Sequence, residues 1–348
     1  MAGLNLVLAP GMTFTVASPD TLRSEPHLVI QMDRAALMAS QRRFKAKLRR
    51  AWLHWLPANR QYGLSLDPGW ERVPEDRNLV VFVHGLDSDP EHCTALFPKL
   101  RERGIPCGTM RYPNDQSIAD SARLLSRELK RLAKEHPRRG VALVTHSLGG
   151  LVARAVIEDA GLDPGNVRQL IMVAPPNHGS ALARFGFALD LWEHAADGLR
   201  NKDVRRLYDL VEDGMSEAAG DLVPGSALLR ELNARPRNPR VRYAVFLGTD
   251  GPLREKDLDP LRQAFTKAGP RSRWVRLFGP RVDEWLADLD EVVEGRGDGA
   301  VAVNRGRLEG VDDTMMLKFC HWGVLGETRE AGMERLHQEI LKRLDAGR

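Results

Sequence analysis

The run Thr145-His146-Ser147-Leu148-Gly149-Gly150 constrains the fold more than any other part of the chain. It lies between an apolar run, residues 141–144, and a stretch of helical pattern, residues 151–158. A short buried strand that turns sharply into a helix exposes one serine hydroxyl, and glycine must follow because a side chain there would collide with the neighbouring elements. The helix directs its dipole and free N–H groups at charge that develops beside the serine. The pattern is G-x-S-x-G with Thr145 in place of the first glycine, and it predicts Ser147 as a nucleophile; the alternative is a serine in an ordinary turn.

A second turn, His84-Gly85-Leu86-Asp87-Ser88, follows the continuous apolar run of residues 79–83. Such a run is typical of a central parallel strand buried on both faces. Glycine after the strand lets the backbone turn so that an N–H points inward. We therefore expect the N–H groups of Leu86 and Leu148 to form an oxyanion hole, in which each donor contributes about 3 kcal/mol.

An acid and a base are predicted far downstream. The glycine-rich segment 295–301 presents Asp298 before an apolar stretch, and residues 315–321 form a predicted strand that ends in His321. His321 would take the proton of Ser147 and later protonate the leaving group, while Asp298 would fix the tautomer of His321 and stabilise its imidazolium form. The chain order Ser, Asp, His is that of the α/β-hydrolases.

Asp250 is the rival acid, because it follows a predicted strand, residues 243–247, at a place where a hydrolase acid often lies. We favour Asp298 for its flanking glycines and its short path to His321, and Asp250 stays open. Eight histidines lie upstream of both acids, so the usual chain order disfavours them as the base; His84, His92, His146 and His178 are among them. We place His84, His146 and His178 near the substrate pocket.

Together, five segments resemble the bacterial lipase and esterase branch of the α/β-hydrolases, which includes proteins similar to the inositol deacylases that trim glycosylphosphatidylinositol anchors. They are Val83-His84-Gly85-Leu86, Thr145 to Gly150, Val173-Ala-Pro-Pro-Asn-His-Gly-Ser180, Gly297-Asp-Gly-Ala-Val301 and Cys320-His321. The resemblance covers roughly residues 79–180 and 295–325. It implies Ser147, Asp298 and His321 as nucleophile, acid and base, and Leu86 and Leu148 as oxyanion donors. It also implies that residues 176–180 open a cap region.

Strand and helix patterns alternate through the middle of the chain, which predicts an α/β fold with a mostly parallel, doubly wound sheet and helical cap insertions. The predicted elements are strands at 79–83, 109–112, 141–144 and 169–174 and helices at 91–103 and 118–136. In the last helix an apolar stripe (Leu124, Leu125, Leu129 and Leu132) lies between charged faces, which we interpret as solvated.

Four segments are predicted along the chain: residues 1–78 before the core, 79–180 with the oxyanion turn and the elbow, 181–240 as a cap or lid insertion, and 241–348 with the acid and base. The last contains a second insertion, 252–294, whose role the sequence does not indicate. A helical pattern over 182–192 is apolar on several sides, and its Phe185, Phe187, Leu189 and Trp192 either line the substrate pocket or pack in the core.

The first segment carries two predicted strands, residues 4–8 and 27–31, which we expect as antiparallel edge strands of the hydrolase sheet. Between them and the core, residues 42–55 form an amphipathic pattern in which aromatic residues, including Trp52 and Trp55, are surrounded by arginine and lysine. A basic helix with tryptophans can lie on an anionic membrane surface. We favour the alternative, a helix packed on the sheet with a solvated basic face.

Composition sets limits on the function. The 348 residues include 51 Lys and Arg against 47 Asp and Glu, so the charge balance is mildly basic, and no pattern resembles a nucleic-acid module. There is no apolar run of ~20 residues and no secretory leader pattern, which predicts a cytoplasmic protein, with peripheral membrane association as the alternative. Three cysteines, Cys93, Cys107 and Cys320, have no metal spacing and are read as free thiols; a pair of Cys93 with Cys107 is the alternative if the protein is exported. No cofactor motif is present, so we expect neither a cofactor nor a metal.

The function predicted from these residues is a serine carboxylic-ester hydrolase that acts on lipid or other acyl esters through an acyl-enzyme. One alternative is a serine acyltransferase or thioesterase on the same fold. Another is a catalytically silent hydrolase-fold binding protein. Haloalkane and epoxide chemistry is disfavoured because those branches place aspartate at the elbow, and position 147 is serine. The sequence does not indicate the oligomeric state.

Overall fold

The computed structural model describes residues 6–9, 12–17, 27–32, 62–86, 95–114, 116–181, 217–258, 288–321, 324–325 and 331–346. The chain divides into two compact units, Met1–Gln61 and Tyr62–Arg348. The predicted basic helix at 42–55, the helical pattern at 182–192 with Phe185, Phe187, Leu189 and Trp192, and most of the insertion 252–294 lie outside the described residues.

The first unit contains a three-stranded antiparallel sheet of β1 (Leu6–Ala9), β2 (Met12–Ala17) and β3 (His27–Met32), in that order. The expectation that β1 and β3 are edge strands of the hydrolase sheet is wrong, because both pair with β2 in a separate sheet. Only Pro10 and Gly11 separate β1 from β2 in the sequence, and so short a connection favours pairing between consecutive strands.

The second unit is built on a seven-stranded sheet in the order β10-β9-β8-β7-β5-β6-β4. Its strands are β4 (Gly63–Leu66), β5 (Leu79–Val83), β6 (Cys107–Arg111), β7 (Val141–His146), β8 (Val167–Val173), β9 (Arg242–Gly248) and β10 (Thr314–Leu317). All neighbours pair in parallel except β4 and β6, which are antiparallel. The predicted mostly parallel α/β sheet is confirmed, and its antiparallel edge strand is β4.

Helices cover both faces of this sheet. They are α1 (Phe97–Glu102), α2 (Ile118–Glu135), α3 (Leu148–Ile157), α4 (Glu217–Leu222), α5 (Ala227–Ala234), α6 (Val303–Gly306) and α7 (Ala331–Asp345), with short 3-10 helices at Trp70–Arg72, Glu255–Leu258 and Leu289–Val292. Within the described residues, none of the helices combines the length and apolar composition needed to cross a bilayer.

Alternate residues of β5 supply two separate apolar cores. Leu79, Val81 and Val83 pack in the core with α2, α3, α4 and α5. Val80 and Phe82 pack on the other side with α1 and α7. Because side chains of a strand point alternately to its two faces, a strand covered on both faces must be apolar throughout, as the run at 79–83 is.

Helix α2 shows how sequence fixes a boundary and a buried face. The Ser117 side chain caps its start by accepting a hydrogen bond from the Asp120 N–H at 3.1 Å. Of the predicted apolar stripe, Leu125, Leu129 and Leu132 are buried, while Leu124 is only partly buried. The interpretation of the charged faces as solvated agrees with this packing.

Shortening a buried leucine of α2 should destabilise the protein more than shortening the partly buried Leu124 on the same helix. We expect Leu129→Ala to lower the free energy of unfolding by about 2–5 kcal/mol, because it removes a buried leucine and leaves a cavity. The matched variant Leu124→Ala should cost clearly less. Chemical denaturation of both variants checks this, and equal losses would contradict the packing of α2.

Candidate active site

Ser147 occupies a strained turn between β7 and α3. Its backbone angles are φ 50° and ψ −125°, and residues other than glycine rarely adopt a positive φ of this kind. Holding such a residue costs about 1–3 kcal/mol and requires support from its surroundings. The Ser147 N–H donates to the Val173 carbonyl at 2.9 Å, which ties the turn to the end of β8. The side chain is 8% exposed.

Gly149 and Gly150 let α3 begin close to the sheet. A Cβ on Gly149 would lie 2.5 Å from the Val83 carbonyl oxygen and 2.6 Å from that of His84. A Cβ on Gly150 would lie 3.3 Å from the hydroxyl of Thr145, which is fully buried. Glycine at 150 therefore makes room for the threonine that replaces the first glycine of the motif.

His321 contacts both of the other residues predicted to react with it. Its Nε2 lies 3.0 Å from Ser147 Oγ, and its Nδ1 lies 2.9 Å from Asp298 Oδ2. With the proton on Nδ1, the ring donates to the carboxylate and Nε2 accepts the serine hydroxyl, which is the tautomer that general-base chemistry requires. Asp298 is 1% exposed and His321 is 6% exposed, so solvent screens the interaction between these two side chains only weakly.

The Asp298 carboxylate is held through both oxygens. Its Oδ1 accepts the N–H groups of Ala300 at 3.0 Å and Val301 at 2.8 Å, which leaves Oδ2 for His321. The His321 N–H also donates to the Asp298 carbonyl at 2.9 Å. A Cβ on Gly248, at the end of β9, would lie 2.6 Å from the Cβ of Asp298, so the acid sits against the end of that strand.

Asp250, the rival acid, lies beside the surface. Its side chain is 35% exposed and its carboxylate is 3.6 Å from Lys318 Nζ. Its N–H donates to the Phe319 carbonyl at 3.2 Å. The structure thus brings Asp298 into hydrogen-bond contact with His321 and places Asp250 in an ion pair with Lys318.

The predicted oxyanion turn lies against the nucleophile. A Cβ on Gly85 would be 3.0 Å from the Cβ of Ser147. Leu148 is the first residue of α3, where N–H groups have no partner within the helix, and the partly buried Leu86 follows Gly85. Leu148 thus follows Ser147 in the chain, and Leu86 follows the glycine that lies against the Ser147 side chain.

Sequence reasoning missed the residues that hold this turn. The Tyr112 hydroxyl donates to the His84 carbonyl, and Asn114 Nδ2 donates to the Gly85 carbonyl at 3.0 Å. The rings of Tyr112 and the buried His84 stack with centroids 4.3 Å apart. The signal that could have found them is their place just after β6, whose carboxyl end lies beside that of β5.

Of the other predicted pocket residues, His146 lies beside the reacting groups. Its ring centroid is 4.8 Å from that of His321, and its Nε2 is inaccessible and has no hydrogen-bond partner in the described part of the chain. Burial, with a smaller contribution from His321, lowers the pKa of His146 well below its usual value, so its ring is neutral. His178 is exposed, and its Nδ1 lies 3.4 Å from Asn233 Nδ2.

Buried polar groups that the sequence did not single out fix the segment after β8. Arg154, on α3, is fully buried, pairs with Glu158 at 3.2 Å and donates to Asn177 Oδ1 at 2.9 Å. Asn177 Nδ2 in turn donates to the Gly306 carbonyl at 2.8 Å. Among the described side chains, His, Cys, Asp and Glu do not gather in groups of three that could hold a metal ion.

Solved structures share this fold. The mature form of the lipase BlEst2 from Bacillus licheniformis matches with a TM-score of 0.54 and 16% identity, over 81% of this chain and 97% of that chain. Its propeptide form matches with a TM-score of 0.53 and 15% identity, over 80% of this chain and 53% of that chain. The protein therefore has the fold of α/β-hydrolase lipases, as the sequence predicted, and such low identity shows the fold alone.

By sequence, residues 47–259 match the model of a family described as a domain of unknown function, DUF7379. No curated protein matches the chain.

Because Gly149 lies so close to the end of β5, adding one methyl group at this position should destabilise the protein strongly. We expect Gly149→Ala to lower the free energy of unfolding by about 2 kcal/mol or more, since its Cβ would meet two backbone oxygens that cannot move independently. Gly220→Ala is the matched control, because nothing lies within 4 Å of its Cβ position in α4. Thermal and chemical unfolding of both variants checks this; a tolerated alanine at 149 would contradict the described elbow.

Proposed function

The chain belongs to the DUF7379 family, which assigns no activity, and we propose from the site that it is a serine hydrolase of carboxylic esters. The observation that carries the proposal is the unbroken set of hydrogen bonds from Asp298 through His321 to Ser147 at a strained elbow. The likeness in fold to a lipase supports a lipid or other acyl ester as the substrate.

The reaction proceeds in two acyl-transfer steps. His321 Nε2 takes the hydroxyl proton of Ser147 while Oγ attacks the ester carbonyl, and the carbonyl oxygen becomes an oxyanion held by the N–H groups of Leu86 and Leu148. The C–O bond to the alcohol then breaks, and the alcohol leaves with the proton from His321. Water repeats the sequence on the acyl-enzyme, which releases the acid and restores the serine.

Two neighbours of His321 have different roles in this scheme. The Asp298 carboxylate fixes the ring orientation and stabilises the imidazolium that forms when Nε2 takes the proton. His146 stays neutral because burial lowers its pKa, so it adds no second positive charge beside that imidazolium.

We also propose that the substrate brings the protein into contact with lipid surfaces.

An activated serine should be detected directly by covalent labelling. We expect a fluorophosphonate probe to add once to the wild type and not to Ser147→Ala, with the exposed Ser65→Ala as a control that still labels. Intact mass reads the adduct, and p-nitrophenyl esters of increasing chain length give the acyl preference. A folded wild type that neither labels nor hydrolyses would contradict the proposal and favour a silent binding protein. Labelling with turnover only on thioesters, or only with an added alcohol acceptor, would favour a thioesterase or an acyltransferase.

The two candidate acids should differ greatly in effect. We expect Asp298→Asn to lower kcat by a factor on the order of 10⁴, by analogy with the same change in a serine protease, because the asparagine cannot hold the required tautomer of His321. Asp250→Asn should change kcat little, since it removes a partly exposed partner of Lys318 that does not contact His321 in the described residues. Steady-state kinetics on one ester checks both variants, and the reverse ranking would assign the acid to Asp250.

A further inference from the structure

Glu291 is a buried carboxylate beside the loop that carries Asp298. It lies in the 3-10 helix Leu289–Val292 and is 1% exposed. Its Oε1 accepts the Ala181 N–H at 2.7 Å and Arg305 Nη1 at 2.8 Å, and its Oε2 lies 3.2 Å from the Ser180 hydroxyl. A buried charge is tolerated only when it is paired and hydrogen-bonded, so these contacts fix its position.

The backbone of Glu291 also shapes the acid loop. Its carbonyl accepts the Gly299 N–H at 2.8 Å, and a Cβ on Gly297 would lie 2.3 Å from that same oxygen. The two glycines that flank Asp298 in the sequence therefore pass directly over the peptide of Glu291. At position 297 a side chain would collide with this peptide, and at position 299 the backbone has φ 105°, which favours glycine.

A chain of hydrogen bonds leads from Glu291 to the acid itself. The Ser180 hydroxyl lies 2.7 Å from the Ala300 carbonyl and 3.2 Å from Glu291 Oε2, so its single proton is shared between these two acceptors in a bifurcated hydrogen bond. The N–H of Ala300 in turn donates to Asp298 Oδ1 at 3.0 Å. Ser180 thus joins the segment after β8 to the residue that orients the carboxylate.

Arg305 completes the arrangement from α6. It pairs with Glu291 and with the buried Asp288, so one guanidinium holds two carboxylates of the same short segment. The His178 N–H donates to the Arg305 carbonyl at 2.8 Å, which ties the same arginine to the segment that contains Ser180. Glu291 is therefore fixed from the β8 side and from α6 at once.

We propose that Glu291 is a positioning residue for Asp298: it joins the Ser180–Ala181 backbone to the acid loop and so sets where the carboxylate meets His321. This inference rests on the proposed function. Catalytic groups must be held close to their productive geometry, and a misplacement of about 1 Å can cost on the order of 100-fold in rate. Glu291 acts through Asp298 and does not contact the reacting atoms.

The test uses two variants and a matched control in the full-length protein. Glu291→Gln removes one of the two carboxylates that pair with Arg305, and Ser180→Ala removes the hydroxyl between Glu291 and Ala300. Glu294→Gln makes the same chemical change three positions along, at a 45% exposed side chain that pairs with Lys318. We expect Glu291→Gln to lower kcat on the order of 100-fold with KM nearly unchanged, Ser180→Ala to do so less, and Glu294→Gln to match the wild type.

A double-mutant cycle separates positioning from a general loss of structure. In an Asp298→Asn background, Glu291→Gln should give no further loss of kcat, because the residue it positions no longer acts. An equal loss in both backgrounds would overturn the proposal. If Glu291→Gln does not fold, as shown by its unfolding profile, the same cycle with Ser180→Ala decides.

A spectroscopic readout keeps the proposal independent of turnover. The proton between His321 Nδ1 and Asp298 Oδ2 should give a strongly downfield proton NMR signal, assigned by its loss in His321→Ala. We expect this signal to shift or broaden in Glu291→Gln and Ser180→Ala and to stay in place in Glu294→Gln. If the wild type has no esterase activity, the proposed function fails, while this signal still decides the role of Glu291: an unchanged signal in both variants would overturn it.

Discussion

The contact between the start of α3 and the end of β5 is the constraint on which the site depends. Gly149 packs against the Val83 and His84 carbonyls, and this contact places Ser147 beside the turn at Gly85. The parallel pairing of β5 with β7 brings the two carboxyl ends to one edge of the sheet, and the glycines let them meet. The turn that joins β7 to α3 at this contact carries the strained backbone of Ser147.

The same edge of the sheet collects the rest of the site. Asp298 lies against the end of β9, and His321 follows β10. The acid does not directly follow its strand in sequence, since the whole of the 252–294 insertion intervenes. The chain returns to the end of β9 at Gly248, where the absence of a side chain leaves room for the Asp298 Cβ. Asp298 reaches His321 because it packs against the end of β9, although Asp250 is closer to that strand in the sequence.

Much of the fold could be predicted because a strand covered on both faces must be continuously apolar, as residues 79–83 and 141–144 are. Motif chemistry and chain order were enough to predict a nucleophile, an acid and a base at Ser147, Asp298 and His321. In the structure His321 contacts both of the other two. The edge strand β4 and the sheet of β1, β2 and β3 were not predicted as found, because pairing partners of short strands depend on tertiary context. Glu291 and Arg154 carry no local signal, since each acts on a group far away in the sequence. Tyr112 and Asn114 are marked only by their place just after β6, and the groups they hold lie 28 and 29 positions away.

The separation of Ser147 and His321 by 174 positions has a consequence for folding. In the sheet, β8, β9 and β10 lie in this order on one side of β7, and each of these parallel pairings requires a long connection to close. Contacts between groups so distant in the sequence carry a large entropic cost of loop closure. The hydrogen bond between these two side chains therefore reports on the part of the sheet from β7 to β10.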